Sequence, residues 1–455
     1  MIRRKLSQIA SMAGSRGGVP PSFGEVNVRG VSIDSRTIRP GNLYVPIVRI
    51  KDGHDFVEEA FAKGAVASLW QHGHPNPPSG VPLLFVDDCT EALQRLAAGY
   101  RGELPAKVIG VTGSNGKTTT KDMIESILGT MYKVHKTKGN LNSQIGVPLT
   151  LLDMEPDTDV AVIEMGMSER GQIGRLSRLA RPDIAVITMI GVSHLSTLGS
   201  REAIAEAKLE IAAGLREGGV LVYNGDERLL VEGASSRLPF PRTVRFGTDA
   251  SHDLVPGEVG DDPGGTWFKL DDASYRIPLL GRHNVNNALA AIAAARLLGI
   301  PRELIAAGLQ AAKVTGMRME VLHSSLGYTI INDAWNASPV SMKAAIETFE
   351  QLGVGGNKIM AAGDMLELGG RAAEFHREIG RMLNPERIQY VVTIGELGEE
   401  IAKEAAKVYP PGHVAAFRSR EEAVGWIREI VKPCDAVLLK ASRGMGLEKA
   451  ADALM

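Results

Sequence analysis

Apolar positions recur along this chain with two different periods, and the switches between them mark its elements. Leu6, Ile9, Ala10 and Ala13 fall at helical spacing and predict a short amphipathic helix. The stretch VRGVSIDSRTIRPGNLYVPI reads as strand, turn at Arg39-Pro40-Gly41, strand. Phe56, Val57, Ala60 and Phe61 share one face of a helix over 56–64. From Lys107 short apolar runs alternate with helical segments and predict strands at 107–112, 132–136, 159–165, 183–189 and 219–223. Such alternation gives a mostly parallel sheet covered on both faces. Runs at 255–259 and 267–270 predict a hairpin with its loop at 261–265, and a long helix follows from Gly281. Residues 313–318 read as a hinge. Alternation then resumes, with strands at 327–332, 358–363, 390–395, 414–417 and 436–440 and helices from Pro339 and Arg371.

The fold class is α/β in three domains. These are a small N-terminal α/β domain over 1–105, a central P-loop-type domain with a mostly parallel sheet over 106–313, and a C-terminal Rossmann-like α/β domain over 314–455.

One junction in the central domain carries recognisable chemistry. The strand ending at Thr112 runs into Gly113-Ser114-Asn115-Gly116, and Lys117-Thr118-Thr119 opens a helix. Glycines let backbone N–H groups turn inward on a phosphate, and the helix N-terminus adds partial positive charge. Lys117 then reaches the β- and γ-phosphates and the Thr118 hydroxyl binds Mg²⁺. The general pattern has a glycine six residues before the lysine, where this chain has Val111.

Ligands of parallel sheets sit beyond the carboxyl ends of the strands. Glu164 ends an apolar strand, where a carboxylate either holds Mg²⁺ or satisfies a strand end. His194 lies just past another strand end, where a histidine is often plain surface decoration. Asn284 and Asn287 lie one turn apart at a helix start, as amides that read a base edge or as caps. Asp34-Ser35-Arg36 and Asp52-Gly53-His54 read as turn residues beside strands. Lys208 falls on the apolar stripe Ile204, Ile211, Leu215 of a helix over 200–215, and no acid stands three or four residues from it. Spacing therefore argues against a solvated lysine in a surface ion pair and leaves a snorkelling lysine open.

Composition narrows the class. A formal charge of -2 gives no case for nucleic acid as a bulk partner. The two cysteines, Cys89 and Cys434, lie far apart, as in a reduced cytoplasmic protein. The start MIRRKLSQIASMAGS lacks a continuous apolar segment, so no signal peptide is expected. The longest apolar run, 288–300, is too short to span a bilayer and contains Arg296, so no membrane insertion is expected.

The motifs TGSNGKTTTK, TKGNLNSQIGVPLT, EMGMSERGQI, HLSTLGSREAIAEAKLEI, GRHNVNNALAA, RME, NDAWNASPVSM and KASRGM, in this order, resemble the Mur ligase family of peptidoglycan synthesis. The resemblance implies ATP-dependent amide formation between UDP-N-acetylmuramoyl-tripeptide and D-alanyl-D-alanine through an acyl phosphate, by a monomer. It implies ATP contacts at Gly113, Ser114, Asn115, Gly116, Lys117, Thr118 and Thr119, adenine contacts at Asn284 and Asn287, and nucleotide contacts from the C-terminal domain at Arg318 and Asp333. It implies two Mg²⁺, one at Thr118 and Glu164 and one at His194 and Lys208, with Lys208 carbamylated and Lys117, His194 and Lys208 catalytic. Ser35, Arg36, Asp52, His54, Asn140 and Asn142 resemble the family's substrate-binding residues. The chain departs from the family at Trp335 and Ser338, where tyrosine and asparagine are usual, and at Val48 to Lys51, which replace a glycine-containing loop. Another amide ligase of this fold (the preceding Mur ligase, or a folate polyglutamate ligase), a P-loop ATPase switch and a kinase are the rival readings.

Overall fold

The computed structural model describes residues 1–192, 194–237, 242–262, 265–313 and 315–455. Three parallel-rich sheets succeed one another along the chain. The first is a four-stranded parallel sheet in the order Val31–Ser32, Leu43–Tyr44, Ala67–Gln71, Leu83–Val86. The second has six parallel strands, in the order Thr243–Phe246, Val220–Asn224, Ile184–Ile187, Lys107–Thr112, Val160–Glu164, Val134–Lys136. The third also has six, of which the edge strand Glu320–His323 alone is antiparallel.

The period of two sorts the central strands between two cores. Val108, Ala161, Ile163, Ala185 and Ile187 face one core, which runs without a break into the N-terminal sheet through Leu43, Leu69 and Leu84. Ile109, Val111, Val162, Val186 and Val222 face the other, filled by the alanine-rich helix His283–Leu297. Burial on both faces explains why these strands read as unbroken apolar runs. The C-terminal sheet has its own pair of cores. Among the described residues no helix is long and apolar enough to cross a membrane.

Several elements differ from the sequence reading. The strands flanking Arg39-Pro40-Gly41 pair in parallel, because a 3₁₀ turn at Ser35–Thr37 reverses the chain first. The helix expected over 56–64 is Val57–Ala62, entered through a 3₁₀ turn at Gly53–Phe56. The expected hairpin is a three-stranded meander of Val259–Asp262, Gly265–Leu270 and Ala273–Ile277. Pro256, which has no N–H to donate, keeps 255–256 out of the ladder, while Gly257 and Glu258 bond to Lys269 outside regular strand geometry, and loop residues 263 and 264 lie outside the described residues. The helix expected over 200–215 is Arg201–Leu209 followed by a 3₁₀ turn, Glu210–Gly214. Ser177 Oγ causes that tightening, by donating to the Ile211 carbonyl and accepting the Gly214 N–H.

Candidate active site

The site grows from the end of the middle strand of the central sheet. Gly113 and Gly116 take φ of 147° and 80°, values that L side chains avoid. Space enforces the same choice. A Cβ on Gly113 would stand 1.9 Å from Thr188 Oγ1, and one on Gly116 would stand 2.2 Å from Asn287 Oδ1. Lys117 Nζ donates to the carbonyls of Gly113 at 2.7 Å and Ser114 at 3.2 Å. Burial pulls its ammonium below the ordinary lysine range.

Thr118 Oγ1 donates to Glu164 Oε2 at 3.0 Å and accepts from an Arg318 guanidinium N–H at 2.9 Å. Asn142 Nδ2 donates to the other Glu164 oxygen at 2.8 Å. These groups line a cleft of about 270 Å³ that also takes in Thr119 and Asn140. Ser114 Oγ and Arg318 Nε are buried there with no hydrogen-bond partner. Orphaned donors beside a basic, glycine-built loop fit the oxygens of a polyphosphate. The Thr118 hydroxyl and Glu164 carboxylate are hard oxygen donors, the type Mg²⁺ takes.

Asn284 and Asn287 do not cap their helix. Asn284 Nδ2 donates to the Leu280 carbonyl at 2.9 Å, and Asn287 Nδ2 donates to Asn284 Oδ1 at 3.0 Å. Together they form a buried amide ladder on the cleft wall.

The C-terminal sheet closes the cleft from the other side. Asp333 is paired with Lys440 and accepts the Met319 N–H at 3.2 Å. The Trp335 ring lies under the guanidiniums of Arg443 at 4.1 Å and Arg318 at 5.4 Å. Ser338 caps the helix Pro339–Gln351 and accepts from Asn115 Nδ2 at 3.1 Å, tying the phosphate loop to the C-terminal domain. Sequence reasoning singled out Ser338 only as a departure and quoted KASRGM without naming Lys440, which lines the cleft, or Arg443, which stacks on Trp335.

His194 takes φ 66°, and its Nδ1 lies 3.4 Å from Glu367 Oε2 of the C-terminal domain. Burial, then the charges of Lys208 and Lys117, push its imidazole down to about 4. Lys208 is 1% exposed. Burial, then the charge of Lys117, holds its ammonium well below the ordinary lysine range. Such a lysine is readily neutral, and a neutral amine is a nucleophile.

The N-terminal candidates stand apart. Ser35 Oγ donates to Glu59 at 3.0 Å, and exposed Arg36 pairs with Asp34 at 2.7 Å. That pairing holds the Asp34 carboxyl down at about 2. Asp52 accepts from His54 at 2.7 Å and faces His74 at 3.1 Å. These three are metal-ligating types, but the two imidazoles stack at 4.0 Å and 12°. No ion can lie in both of two stacked ring planes, so the cluster is a hydrogen-bonded one. Ser35, Arg36, Asp52 and His54 line neither the nucleotide cleft nor a second cavity of about 570 Å³ between the N-terminal and central sheets.

Comparison with known proteins agrees with this layout. Three family models match: "Mur ligase family, catalytic domain" over 27–101, "Mur ligase middle domain" over 111–295 and "Mur ligase, glutamate ligase domain" over 317–443. A UDP-N-acetylmuramoyl-tripeptide–D-alanyl-D-alanine ligase of Bacillus subtilis is 48% identical, over 99% of this chain and 98% of its own. The MurF crystal structure from Acinetobacter baumannii superposes with a TM-score of 0.89 at 29% identity, covering 100% of this chain and 99% of that one. The MurF ligase of Thermotoga maritima, solved in complex with ADP, gives 0.83 at 29% identity, covering 94% and 97%.

Proposed function

Because this chain belongs to the Mur ligase family, we propose that it joins D-alanyl-D-alanine to UDP-N-acetylmuramoyl-tripeptide, converting ATP to ADP and phosphate, as a cytoplasmic monomer. The single observation that carries this reading is the 48% identity to the Bacillus subtilis ligase across essentially both whole chains.

A carboxylate is a poor acyl donor because its leaving group would be oxide. The terminal carboxylate of the tripeptide therefore attacks the γ-phosphorus, the bond to the β-phosphate oxygen breaks, and ADP leaves. The amine of the dipeptide then attacks the acyl phosphate carbon. The tetrahedral intermediate expels phosphate, and the nitrogen loses one proton. Most of the catalysis is positioning and charge neutralisation.

Lys117 and Arg318 supply positive charge at the migrating phosphoryl group. Asn284 and Asn287 form the wall beside the base. Asn142 orients the Glu164 carboxylate. Mg²⁺ at Thr118 and Glu164 would spread phosphate charge when bound.

The second cation would need a different Lys208. An ammonium repels a metal, whereas a carbamate is an anion with two hard oxygens. The neutral amine attacks CO₂, forming an N–C bond and releasing one proton. Carbamylated Lys208, with His194 beside it, then suits a second Mg²⁺. Asn140 is assigned to the substrate peptide, and Ser35, Arg36, Asp52 and His54 to the uridine end.

Phosphate release by purified protein tests the reading. Release should require both UDP-N-acetylmuramoyl-tripeptide and D-alanyl-D-alanine. Equal release without the dipeptide would favour the ATPase switch and overturn the ligase.

A further inference from the structure

One turn below Lys117 and Thr118, the same helix carries Lys121 and Asp122, which the reaction as described leaves unused. Both are interior charges, with Lys121 1% and Asp122 0% exposed. Lys121 Nζ donates to the Thr137 carbonyl at 2.9 Å and lies 3.6 Å from Glu164 Oε2 and 3.7 Å from Asp122 Oδ1. Thr137 Oγ1 in turn accepts the Glu164 backbone N–H at 3.0 Å. Glu164 is thus held through its backbone, its Oε1 by Asn142, and its Oε2 by Thr118 and Lys121.

Asp122 faces the opposite way. Its Oδ1 accepts from Lys136 Nζ at 2.9 Å. Its Oδ2 accepts from the Thr315 backbone N–H at 2.8 Å and from Thr315 Oγ1 at 2.7 Å. Thr315 lies in the segment that crosses into the C-terminal sheet, and three residues later Arg318 returns to Thr118. Burial alone would raise the Asp122 carboxyl, yet Lys121, Thr315 and Lys136 keep it below its usual range. An apolar pair of similar volume commonly stabilises a helix as well as a buried ion pair does. Stability is therefore a weak reason for charges here.

We propose that Lys121 and Asp122 are positioning residues that form one bracket. It sets the Glu164 carboxylate on one side and pegs the interdomain hinge at Thr315 on the other. Metal-site geometry and the seat of the C-terminal domain are then coupled through two adjacent side chains. The proposal rests on the reading of Glu164 as a Mg²⁺ carboxylate.

The test is ADP binding by calorimetry on the full chain, in MgCl₂ and in EDTA, for wild type, Lys121→Met, Thr315→Ala and the double variant. Wild type should bind ADP more tightly with Mg²⁺. Lys121→Met should keep its affinity in EDTA and lose at least about tenfold of the Mg²⁺-dependent gain, as supporting groups of metal ligands do. Thr315→Ala should lose part of the gain, and Thr315→Ser should restore it. The double variant should lose less than the product of the two single losses, because both act through Asp122. A full gain in Lys121→Met, or multiplicative losses, overturns the bracket while leaving the metal reading standing. A wild type with no gain overturns both. Should Lys121→Met fail to fold, the Ala and Ser variants at Thr315 carry the test, since they differ from each other only by the hinge hydroxyl. An unchanged gain in Thr315→Ala then refutes the proposal.

Discussion

Lys208 is the side chain on which the proposed second cation site depends. Its surroundings fit a neutral amine better than an ammonium, since it is buried and shares its field with Lys117. Lys208→Ala should lose most of its ligase activity and recover part of it with added formate, which supplies the missing carboxylate. Full activity in that variant would remove Lys208 from the mechanism. Lys117→Ala should keep the fold and lower kcat by about 10³-fold, in the range of other charges acting on a transferring phosphoryl group. Steady-state kinetics beside a thermal melt separates that result from unfolding. Lys117 and Thr118 were legible in the sequence because a phosphate loop is a local pattern. Lys121 and Asp122 were not, because their partners at 137, 164 and 315 come from remote segments. Asn284 and Asn287 were legible as amides but not as a ladder, since only the fold shows that no helix N–H claims them.

Among the elements, helix starts do much of the positioning. The helix Pro339–Gln351 begins with Ser338, whose hydroxyl both caps it and receives the phosphate-loop Asn115. Ser338→Ala should therefore destabilise the C-terminal domain by about 1 kcal/mol, as loss of a cap does. Ser338→Asn, which restores the family's usual residue, should retain that stability because asparagine caps equally well. Urea unfolding of both variants checks this, and identical midpoints for Ser338→Ala and the wild type would contradict it. The strands of the central sheet were legible because burial on both faces leaves continuous apolar runs. The meander at 259–277 was misjudged because its third strand, Ala273–Ile277, was not read, and because the first strand begins only at Val259, after an irregular approach in which Gly257 and Glu258 both bond to Lys269. The turn at Glu210–Gly214 was misread because Ser177, on another helix, imposes it.

The whole molecule has an acid-sensitive side that follows from its buried histidines. His376 Nδ1 donates to the Ala372 carbonyl and its Nε2 accepts the Met365 N–H, so a second proton has no acceptor. His54 Nε2 likewise accepts the Gln71 N–H. Burial holds both imidazoles below the ordinary histidine range. Below pH of about 6.5 the unfolded chain takes up protons that the folded chain refuses. Stability from these groups is complete above that pH and is lost as pH falls toward their folded values. The melting temperature should be lower at pH 5.5 than at pH 7.5, and His376→Gln should narrow the difference. A flat profile would contradict this assignment. The three-domain frame brings a phosphate loop, a carboxylate and a C-terminal wall to one cleft, the place proposed above for making the acyl phosphate. The most direct measurement uses UDP-N-acetylmuramoyl-tripeptide labelled with ¹⁸O in its terminal carboxylate, incubated with ATP, Mg²⁺ and D-alanyl-D-alanine. Mass spectrometry should find one ¹⁸O atom in each phosphate released, matched to each amide formed. Unlabelled phosphate released alongside ligated product would rule out the acyl phosphate.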